Sequence, residues 1–282
     1  MLSATEFTYD GIHSGKYGLL IASLNYKNVE NTPILSPVIK TIKTSKRNRF
    51  SYVGIEYENA QPLTFSILSQ NDIPDLVRRE ILSWLVGRNG FKKLQIHQPD
   101  YDEYEYRCIF TDAEAIYVNG GCKGFRVTAQ FDSPYCYGRP RKKTYTGDGN
   151  DYETITVVNT SDILDDYVYP FVIIKPDISS ADVDGVYADI EIINTSDDIG
   201  RVFEISGLTT SLLSADEELC IDNELCIITK RKEGEITTSP IGNVLDKFNK
   251  NWLRLKKGAN KLDIKINGRV TIEVPQYVLI GF

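Results

Sequence analysis

Residues 7–19 read FTYDGIHSGKYGL, and residues 251–262 read NWLRLKKGANKL. In both stretches, aromatic and aliphatic side chains are interspersed with polar ones and with glycine or asparagine. Such a pattern is typical of half-buried strands, and Asp-Gly is a strong signal for the turn between two strands. Neither stretch carries a nucleophile, a base or a set of metal ligands. The two ends of the chain therefore predict a β framework with a structural or binding role.

The composition is that of an ordinary soluble protein with room for two domains. Of the 282 residues, 41% are hydrophobic and 25% are charged, and a chain of this length commonly divides into two cores. The sequence has no run of 18 apolar residues that would span a membrane, and its start lacks the pattern of a secretory signal. We therefore expect a protein made in the cytoplasm that does not contact a membrane.

The sign of the charge changes near the middle of the chain. Residues 1–143 carry 19 basic and 15 acidic side chains, a formal charge of +4, and residues 144–282 carry 13 and 24, a formal charge of −11. The change falls within residues 138–150, where proline, glycine and polar residues predict a linker. We expect an N-terminal domain at 1–143 and a C-terminal domain at 144–282, with opposite charges that help to orient subunits in an assembly.

Short alternating segments separated by turn signals fill most of both domains. In the first domain, separate strands are predicted at 104–111 and 113–118, and the second of these forms a hairpin with 124–131. In the second domain, residues 187–194 alternate almost perfectly, and a strand is expected at 252–255. Many short strands at this spacing predict a mainly β protein, and in the second domain a β-sandwich.

One helix is predicted within the first domain. Asp72 is expected to cap its start, Pro74 fits its first turn, and Gly87 is expected to end it as a left-handed cap. Its apolar residues recur with helical spacing and are predicted to anchor one face of the helix to the sheet. These residues are Val77, Ile81, Trp84 and Leu85.

A basic series lies on two predicted strands, at 38–44 and 51–57, and on the turn between them. Clustered cations can meet phosphate groups or an acidic protein surface, but no nucleic-acid-binding motif surrounds this series and the chain is acidic overall. Two interpretations stay open: a solvated hairpin tip, or an electrostatic surface that lines a channel or contacts a neighbouring subunit. The members of the series are Lys40, Lys43, Lys46, Arg47 and Arg49.

The sequence contains no motif for catalysis, for a cofactor or for a metal. Nucleotide-binding glycine loops and the nucleophile elbow of hydrolases are both missing. The two histidines, His13 and His97, lie in a predicted turn and at a strand end, where a structural role is favoured. The five cysteines lack paired zinc-site spacing and are expected to be reduced, although a Cys220–Cys226 disulfide is conceivable. We predict no enzyme activity, no cofactor and no metal site.

Motifs in both halves resemble the distal tail proteins of long-tailed bacteriophages. The first half is similar in the aromatic and glycine residues of 7–19, in FDSPYCY at 131–137, and in its helix with Trp84. The second half resembles the galectin-like β-sandwich of those proteins, in GRxFxIxGL at 200–208 and WLxLxxGxNxL at 252–262. The resemblance covers nearly the whole chain.

The resemblance implies a structural protein of the virion, located at the tail tip or baseplate and made in the host cytoplasm. The first domain is then a β-sandwich-like ring domain, or belt, with one helix, and it forms a hexameric ring around the channel. The second domain is a galectin-like β-sandwich that projects outward and carries host-adhesion machinery. The implied partners are further copies of the chain, the tail-tube protein, the tail-tip hub protein and receptor-binding proteins, without specific recognition of nucleic acid.

A second function remains as an alternative, a carbohydrate-binding protein that attaches to the bacterial surface through the C-terminal sandwich. Trp252 would then be the platform on which a sugar ring stacks. Its neighbours Leu253 and Leu255 favour a half-buried strand instead. The His-x-Asn-x-Arg pattern of sugar-binding galectins is not found, so the structural role is the favoured prediction.

Overall fold

The structure is a computed structural model that describes residues 5–24, 37–43, 49–57, 62–99, 101–163 and 167–279. The chain divides into two compact units. One comprises Met1–Gly138 together with Val278–Phe282, and the other comprises Arg139–Tyr277. Both are built mainly from antiparallel strands, so the prediction of a mainly β protein is confirmed. No helix in the described ranges is both long and apolar enough to cross a membrane.

The first unit contains helix α1, Asp75–Leu85, and nine strands in its described residues. In chain order the strands are β1 (Phe7–Tyr9), β2 (Ile12–His13), β3 (Leu19–Leu24), β4 (Pro37–Lys43), β5 (Phe50–Tyr57), β6 (Leu63–Ser69), β7 (Lys92–Ile96), β8 (Tyr106–Val118) and β9 (Gly121–Phe131). Seven of them form one sheet in the order β2-β1-β7-β8-β9-β6-β3. Among the described residues, β4 and β5 pair with each other and with no other strand.

The hairpin of β1 and β2 is closed by the predicted Asp-Gly turn. Tyr9 pairs with Ile12, so only Asp10 and Gly11 connect the two strands. Both have positive φ angles, 49° and 75°, as a two-residue type I′ turn requires. β1 also pairs with β7 on its other side, and Tyr9 is fully buried.

The start of α1 differs from the prediction. Pro74 occupies the cap position with an extended backbone, and no side chain there makes a capping hydrogen bond. The prediction of Asp72 as the cap is wrong, because its carboxylate forms an ion pair with Lys123 at 3.0 Å. The carboxylate of Asp72, predicted to cap the helix, therefore pairs with a cation of β9 instead.

The end of α1 also differs. Val86 is the C-terminal cap in a right-handed conformation, so the prediction of a left-handed cap at Gly87 is wrong. Glycine is needed at position 87 for a different reason. A β-carbon there would lie 2.5 Å from the carbonyl oxygen of Ser83, which is far inside van der Waals contact.

β8 is one strand where the sequence predicted two. Its pairing with β9 shifts between Phe110 and Asp112, which leaves Thr111 as an extra residue. Such a bulge reverses the alternation of buried and exposed side chains without ending the strand. The break in the sequence pattern at Thr111 is therefore a bulge and not a turn.

The second unit is a sandwich of two sheets around one core. Its strands, two of which begin or end in the first unit, are β10 (Cys136–Asp148), β11 (Glu153–Asn159), β12 (Phe171–Pro176), β13 (Ile190–Asn194), β14 (Val202–Ile205), β15 (Glu217–Asp222), β16 (Ile227–Lys232), β17 (Ser239–Pro240), β18 (Gly258–Lys265) and β19 (Asn267–Val278). One sheet has the order β10-β19-β12-β15-β16-β17 and the other β11-β18-β13-β14. Val172 of the first sheet and Ile192 of the second are fully buried in the same apolar cluster.

Two segments near the sandwich differ from the prediction. Most of the stretch predicted as a linker, residues 138–148, is part of β10, where the hydroxyl groups of Thr144 and Thr271 lie 3.0 Å apart. Pro140 is accommodated because β10 is the first strand of its sheet, and an edge strand has N–H groups that no neighbour uses. Residues 252–255 form no regular strand, and Leu255 makes one isolated bridge to Val168.

The five cysteines are free thiols. Cys220 is buried and Cys226 is exposed, and the disulfide that the sequence allowed between them is not formed. Burial in the core of the first unit raises the pKa of Cys108, which keeps this thiol protonated. The thiols of the cores thus act as small apolar groups.

Candidate assembly interface

β4 and β5 form a two-stranded ribbon, called the ribbon below. Across it, Thr41 pairs with Tyr52 and Lys43 with Phe50. Its large apolar side chains have between 55% and 64% of their surface exposed: Ile39, Ile42, Phe50, Tyr52 and Val53. Single exposed apolar residues are common, but five of them on two adjacent strands, distributed over both faces, indicate an interaction site.

The basic series lies partly on this ribbon. Lys40 and Lys43 are exposed on β4, and Arg49 is exposed directly before β5. The ammonium group of Lys43 lies 5.7 Å from the ring centroid of Phe50, within reach of a cation–π contact. Two members of the series lie outside the described residues: Lys46 and Arg47. The structure thus brings three cations next to exposed apolar groups, and their electrostatic role stays a prediction.

The predicted apolar face of α1 points toward the sheet. Ile81 and Leu85 are fully buried, and Trp84 is 3% exposed. Val77 is partly buried and packs against the same cluster. The helical spacing of these residues turns them to one side of α1. How much this face contributes to stability stays a prediction.

Trp84 contacts three aromatic rings and the backbone of β1. Its ring stacks on Phe7, with centroids 5.7 Å apart and an angle of 7° between the planes, and Tyr17 lies at 5.5 Å. The indole Nε1 donates a hydrogen bond to the carbonyl oxygen of Tyr9 at 3.0 Å. A buried tryptophan with a satisfied N–H and close aromatic neighbours stabilises strongly. Trp84 therefore ties α1 to β1.

The two histidines lie against each other, which the sequence did not predict. The rings of His13 and His97 stack with centroids 5.1 Å apart. Nε2 of His97 is 2.7 Å from the hydroxyl of Thr8, and its Nδ1 is 3.1 Å from the carboxylate of Asp102. β1 brings the rings together because it pairs with both β2 and β7. No local sequence pattern reports that pairing, so sequence reasoning missed the cluster.

The histidine cluster fastens the first hairpin to the loop after β7. Nδ1 of His13 accepts a hydrogen bond from the backbone N–H of Gly15 at 3.0 Å, and its Nε2 faces Glu6 at 3.8 Å. Thr8, His97 and Asp102 follow one another as a hydroxyl, an imidazole and a carboxylate, the order found in hydrolase triads. Thr8, however, lies within β1, which pairs with β2 on one side and with β7 on the other, so its hydroxyl belongs to the sheet framework. The described residues contain no group of three or more potential metal ligands.

The C-terminal stretch NWLRLKKGANKL closes one part of the sandwich core. Leu255 is fully buried, and the half-buried ring of Trp252 packs edge-on against Phe248 at 4.8 Å. The buried side chain of Asn260 accepts from the N–H of Lys256 and donates to its carbonyl oxygen. The side chain of Asn260, in β18, thus satisfies backbone groups of the loop before that strand, and Trp252 packs on the core.

An ion pair beside this loop is almost completely buried. Nε and Nη2 of Arg254 donate to the two carboxylate oxygens of Asp197 at 2.7 and 3.0 Å. The guanidinium group also lies 3.8 Å from the ring centroid of Tyr167. The hydrogen bonds from Arg254 hold the pKa of Asp197 below its usual value. Two parallel charge-assisted bonds of this kind fix geometry as well as adding energy.

Two family models match the chain. Residues 2–133 match a model described as a phage tail protein N-terminal domain, and residues 135–274 match one described as a phage tail C-terminal domain. The two matches together extend over nearly all of the chain. No sequence among curated proteins matches it.

Solved structures of two phage assemblies have a similar fold. The Dit protein of phage SPP1, described as a paradigm of the hub adsorption apparatus in phages that infect Gram-positive bacteria, has a TM-score of 0.61 and 13% identity, over 98% of this chain and 99% of that chain. A chain of the phage P2 baseplate, in its activated conformation with Ca, has a TM-score of 0.53 and 9% identity, over 96% and 98%. At these identities the likeness concerns the fold.

Proposed function

The chain belongs to the phage tail proteins, with the N-terminal domain of that family in its first half and the C-terminal domain in its second, and on this premise we propose that it acts as a distal tail protein. Copies of the chain form a hexameric ring at the end of the tail tube. The ring joins the tube to the host-adhesion device. The first unit builds the ring around the channel, and the galectin-like second unit projects outward.

The observation that carries this proposal is a fold similar to that of the SPP1 Dit hub over 98% of the chain. A single β-sandwich would say little, because sandwiches serve many unrelated functions. Here the agreement extends through both units. Together with membership of the phage tail proteins, it supports a place in the hub of the tail tip.

The ribbon supports a role in contacts between subunits. Its apolar side chains are exposed in the single chain, and burying them in a neighbouring copy would be favourable by roughly 25 cal/mol for each Å² removed from water. A ring needs a contact between two different surfaces of each copy, because identical surfaces close into a dimer. The ribbon meets this requirement if it binds a different surface on the next copy.

The proposed partners follow from the same arrangement. One face of the ring meets the tail-tube protein, the other meets the tail-tip hub protein, and receptor-binding proteins attach through the second units. The opposite charges of the two halves support a fixed orientation of neighbouring copies. The role needs no bond-breaking chemistry, and it places the protein in the virion.

Antibody labelling of intact virions tests the proposed location. An antibody against the second unit should decorate the end of the tail that is distal to the capsid, because that unit is proposed to project outward. An antibody against the major tail-tube protein serves as a control and should label the tail along its length. Labelling that is absent from the tail end, or spread along the tube, would contradict the proposal.

A further inference from the structure

A small cavity lies on the six-stranded sheet of the second unit. Its volume is about 110 Å³, and every residue that lines it belongs to that unit. Pockets for drug-sized ligands measure roughly 300–1,000 Å³. This cavity therefore has room for one small chemical group.

The strand register places an aromatic ring between two carboxylates in this cavity. Phe171 of β12 pairs directly with Glu273 of β19 on one side and with Asp222 of β15 on the other. Directly paired residues point to the same face of a sheet. The next residue, Val172, is fully buried in the sandwich core, so Phe171 and both carboxylates lie on the opposite face. Tyr169 adds a second aromatic ring to the lining.

Each of the three carboxylates that line the cavity is held through one of its oxygens. Oδ1 of Asp222 accepts a hydrogen bond from the backbone N–H of Glu224 at 3.1 Å. Oε2 of Glu224 accepts from the hydroxyl of Tyr277 at 3.0 Å, and Oε1 of Glu273 pairs with Lys142 at 2.6 Å. Within the described residues, the second oxygen of each carboxylate has no partner. The cavity thus offers fixed acceptors that are only half used.

The lining favours an organic cation. No basic side chain lines the cavity, and Lys142 at its side pairs with only one of the three carboxylates. The carboxylates do not form a group that could hold one metal ion, since no such group of three exists in the described part of the chain. A guanidinium group fits both parts of the lining, because it donates to carboxylates and stacks flat on aromatic rings. A quaternary ammonium group has no N–H to donate to the half-used acceptors.

We propose that this cavity binds the guanidinium group of an arginine side chain that belongs to another protein. The aromatic rings supply the stacking surface, and the carboxylates supply the charge and the acceptors. The site itself is independent of the ring. Its assignment to a protein that attaches through the second unit rests on the proposed function.

Saturation-transfer difference NMR on the full-length protein tests the site, whether the chain is single or assembled. The probe is N-acetyl-arginine amide, whose blocked ends imitate an arginine within a protein. N-acetyl-citrulline amide is the matched neutral control, and free arginine and tetramethylammonium are the competing ligands. We expect the blocked arginine to bind at least about tenfold more tightly than the citrulline compound, because only the arginine carries a charge for the carboxylates.

Two variants locate the binding. Glu224→Gln removes one charge, Phe171→Leu removes the stacking surface, and each should raise the dissociation constant of the blocked arginine at least about fivefold. Glu235→Gln makes the same change of charge at an exposed position outside the cavity and should bind like wild type. Circular dichroism confirms that each variant is folded.

Several results would overturn the proposal. Equal binding of the arginine and citrulline compounds would exclude recognition of the charge, and unchanged binding in either cavity variant would exclude this site. Tighter binding of tetramethylammonium would assign the cavity to quaternary ammonium groups, and binding of free arginine alone would assign it to the amino acid. None of these results bears on the ring, which the mass of the assembled protein tests separately.

Discussion

Trp84 and Asp197 show how single side chains hold each unit together. Trp84 contacts the rings of Phe7, Tyr9 and Tyr17, and its N–H is bonded to the backbone of β1. Asp197 receives two hydrogen bonds from Arg254 in a site from which water is almost excluded. Trp84 contributes buried apolar area, and Asp197 contributes a fixed charge pair. The loss of stability on removing Asp197 should therefore depend on pH in a way that the loss on removing Trp84 does not.

Trp84→Ala should destabilise the protein by about 3–5 kcal/mol, because it removes a large buried ring and leaves a cavity under α1. Chemical denaturation followed by circular dichroism measures the loss. Leu76→Ala is the matched control on the same helix, where 71% of the side chain is exposed, and it should change stability by less than about 0.5 kcal/mol. Equal effects of the two substitutions would show that α1 is not anchored through Trp84.

Asp197→Asn should weaken the second unit most at neutral pH. The pKa of Asp197 in the folded protein lies below its usual value of 3.8, so the ion pair stabilises fully above that value and its contribution is lost as the pH falls through the lowered pKa. We expect a loss of about 2 kcal/mol at neutral pH, since hydrogen bonds to a charged group are removed. The difference from wild type should shrink in acid.

Thermal unfolding followed at several pH values between about 7 and 2 measures this effect. Asp184→Asn, at an exposed turn, serves as the control and should leave the pH dependence of wild type unchanged. A variant whose difference from wild type is the same at every pH would contradict the lowered pKa of Asp197.

At the scale of elements, the sequence predicted what local chemistry determines. The Asp10-Gly11 turn was predictable because few residue pairs tolerate two positive φ angles in succession. The start of α1 was not, because the charge on Lys123, which pairs with Asp72, belongs to the tertiary structure. At the end of α1, a glycine that avoids the carbonyl oxygen of Ser83 has the same sequence signature as a glycine in a left-handed cap. Strand β10 was predicted as a linker because Pro140 and its charges are acceptable both in a loop and at a sheet edge.

The ribbon is the element whose surface should decide assembly. Ile42→Ser together with Phe50→Ser should abolish ring formation, because it removes exposed apolar groups that only a partner can bury. Thermal stability of the single chain should change little, since neither side chain is buried in it. Size-exclusion chromatography and circular dichroism measure the two properties.

A matched control exists in the second unit. Leu225→Ser together with Ile236→Ser alters side chains that are 66% and 92% exposed, and this variant should assemble like wild type. If both double variants assemble equally well, or both fail, the ribbon is not the specific contact.

At the scale of the whole molecule, the two halves correspond to the two domains of a phage tail protein. The resemblance could be recognised from short motifs because their glycine, asparagine and aromatic residues have fixed structural roles. Asn260, for example, bonds the backbone of Lys256 and closes the loop between them. The candidate interface was readable only in part. The basic series indicated the ribbon. No local pattern indicated that β8 extends far beyond the short β7, so that Ile109 to Val118 pair on one side only within the described residues.

Electron microscopy of the purified full-length protein tests the central claim most directly. Particles in negative stain, with the mass measured in parallel by native mass spectrometry, should be closed rings with sixfold symmetry, a central channel and six times the 31.9 kDa of one chain. Particles that remain at the mass of one chain at every concentration, or that grow into open filaments, would contradict the account.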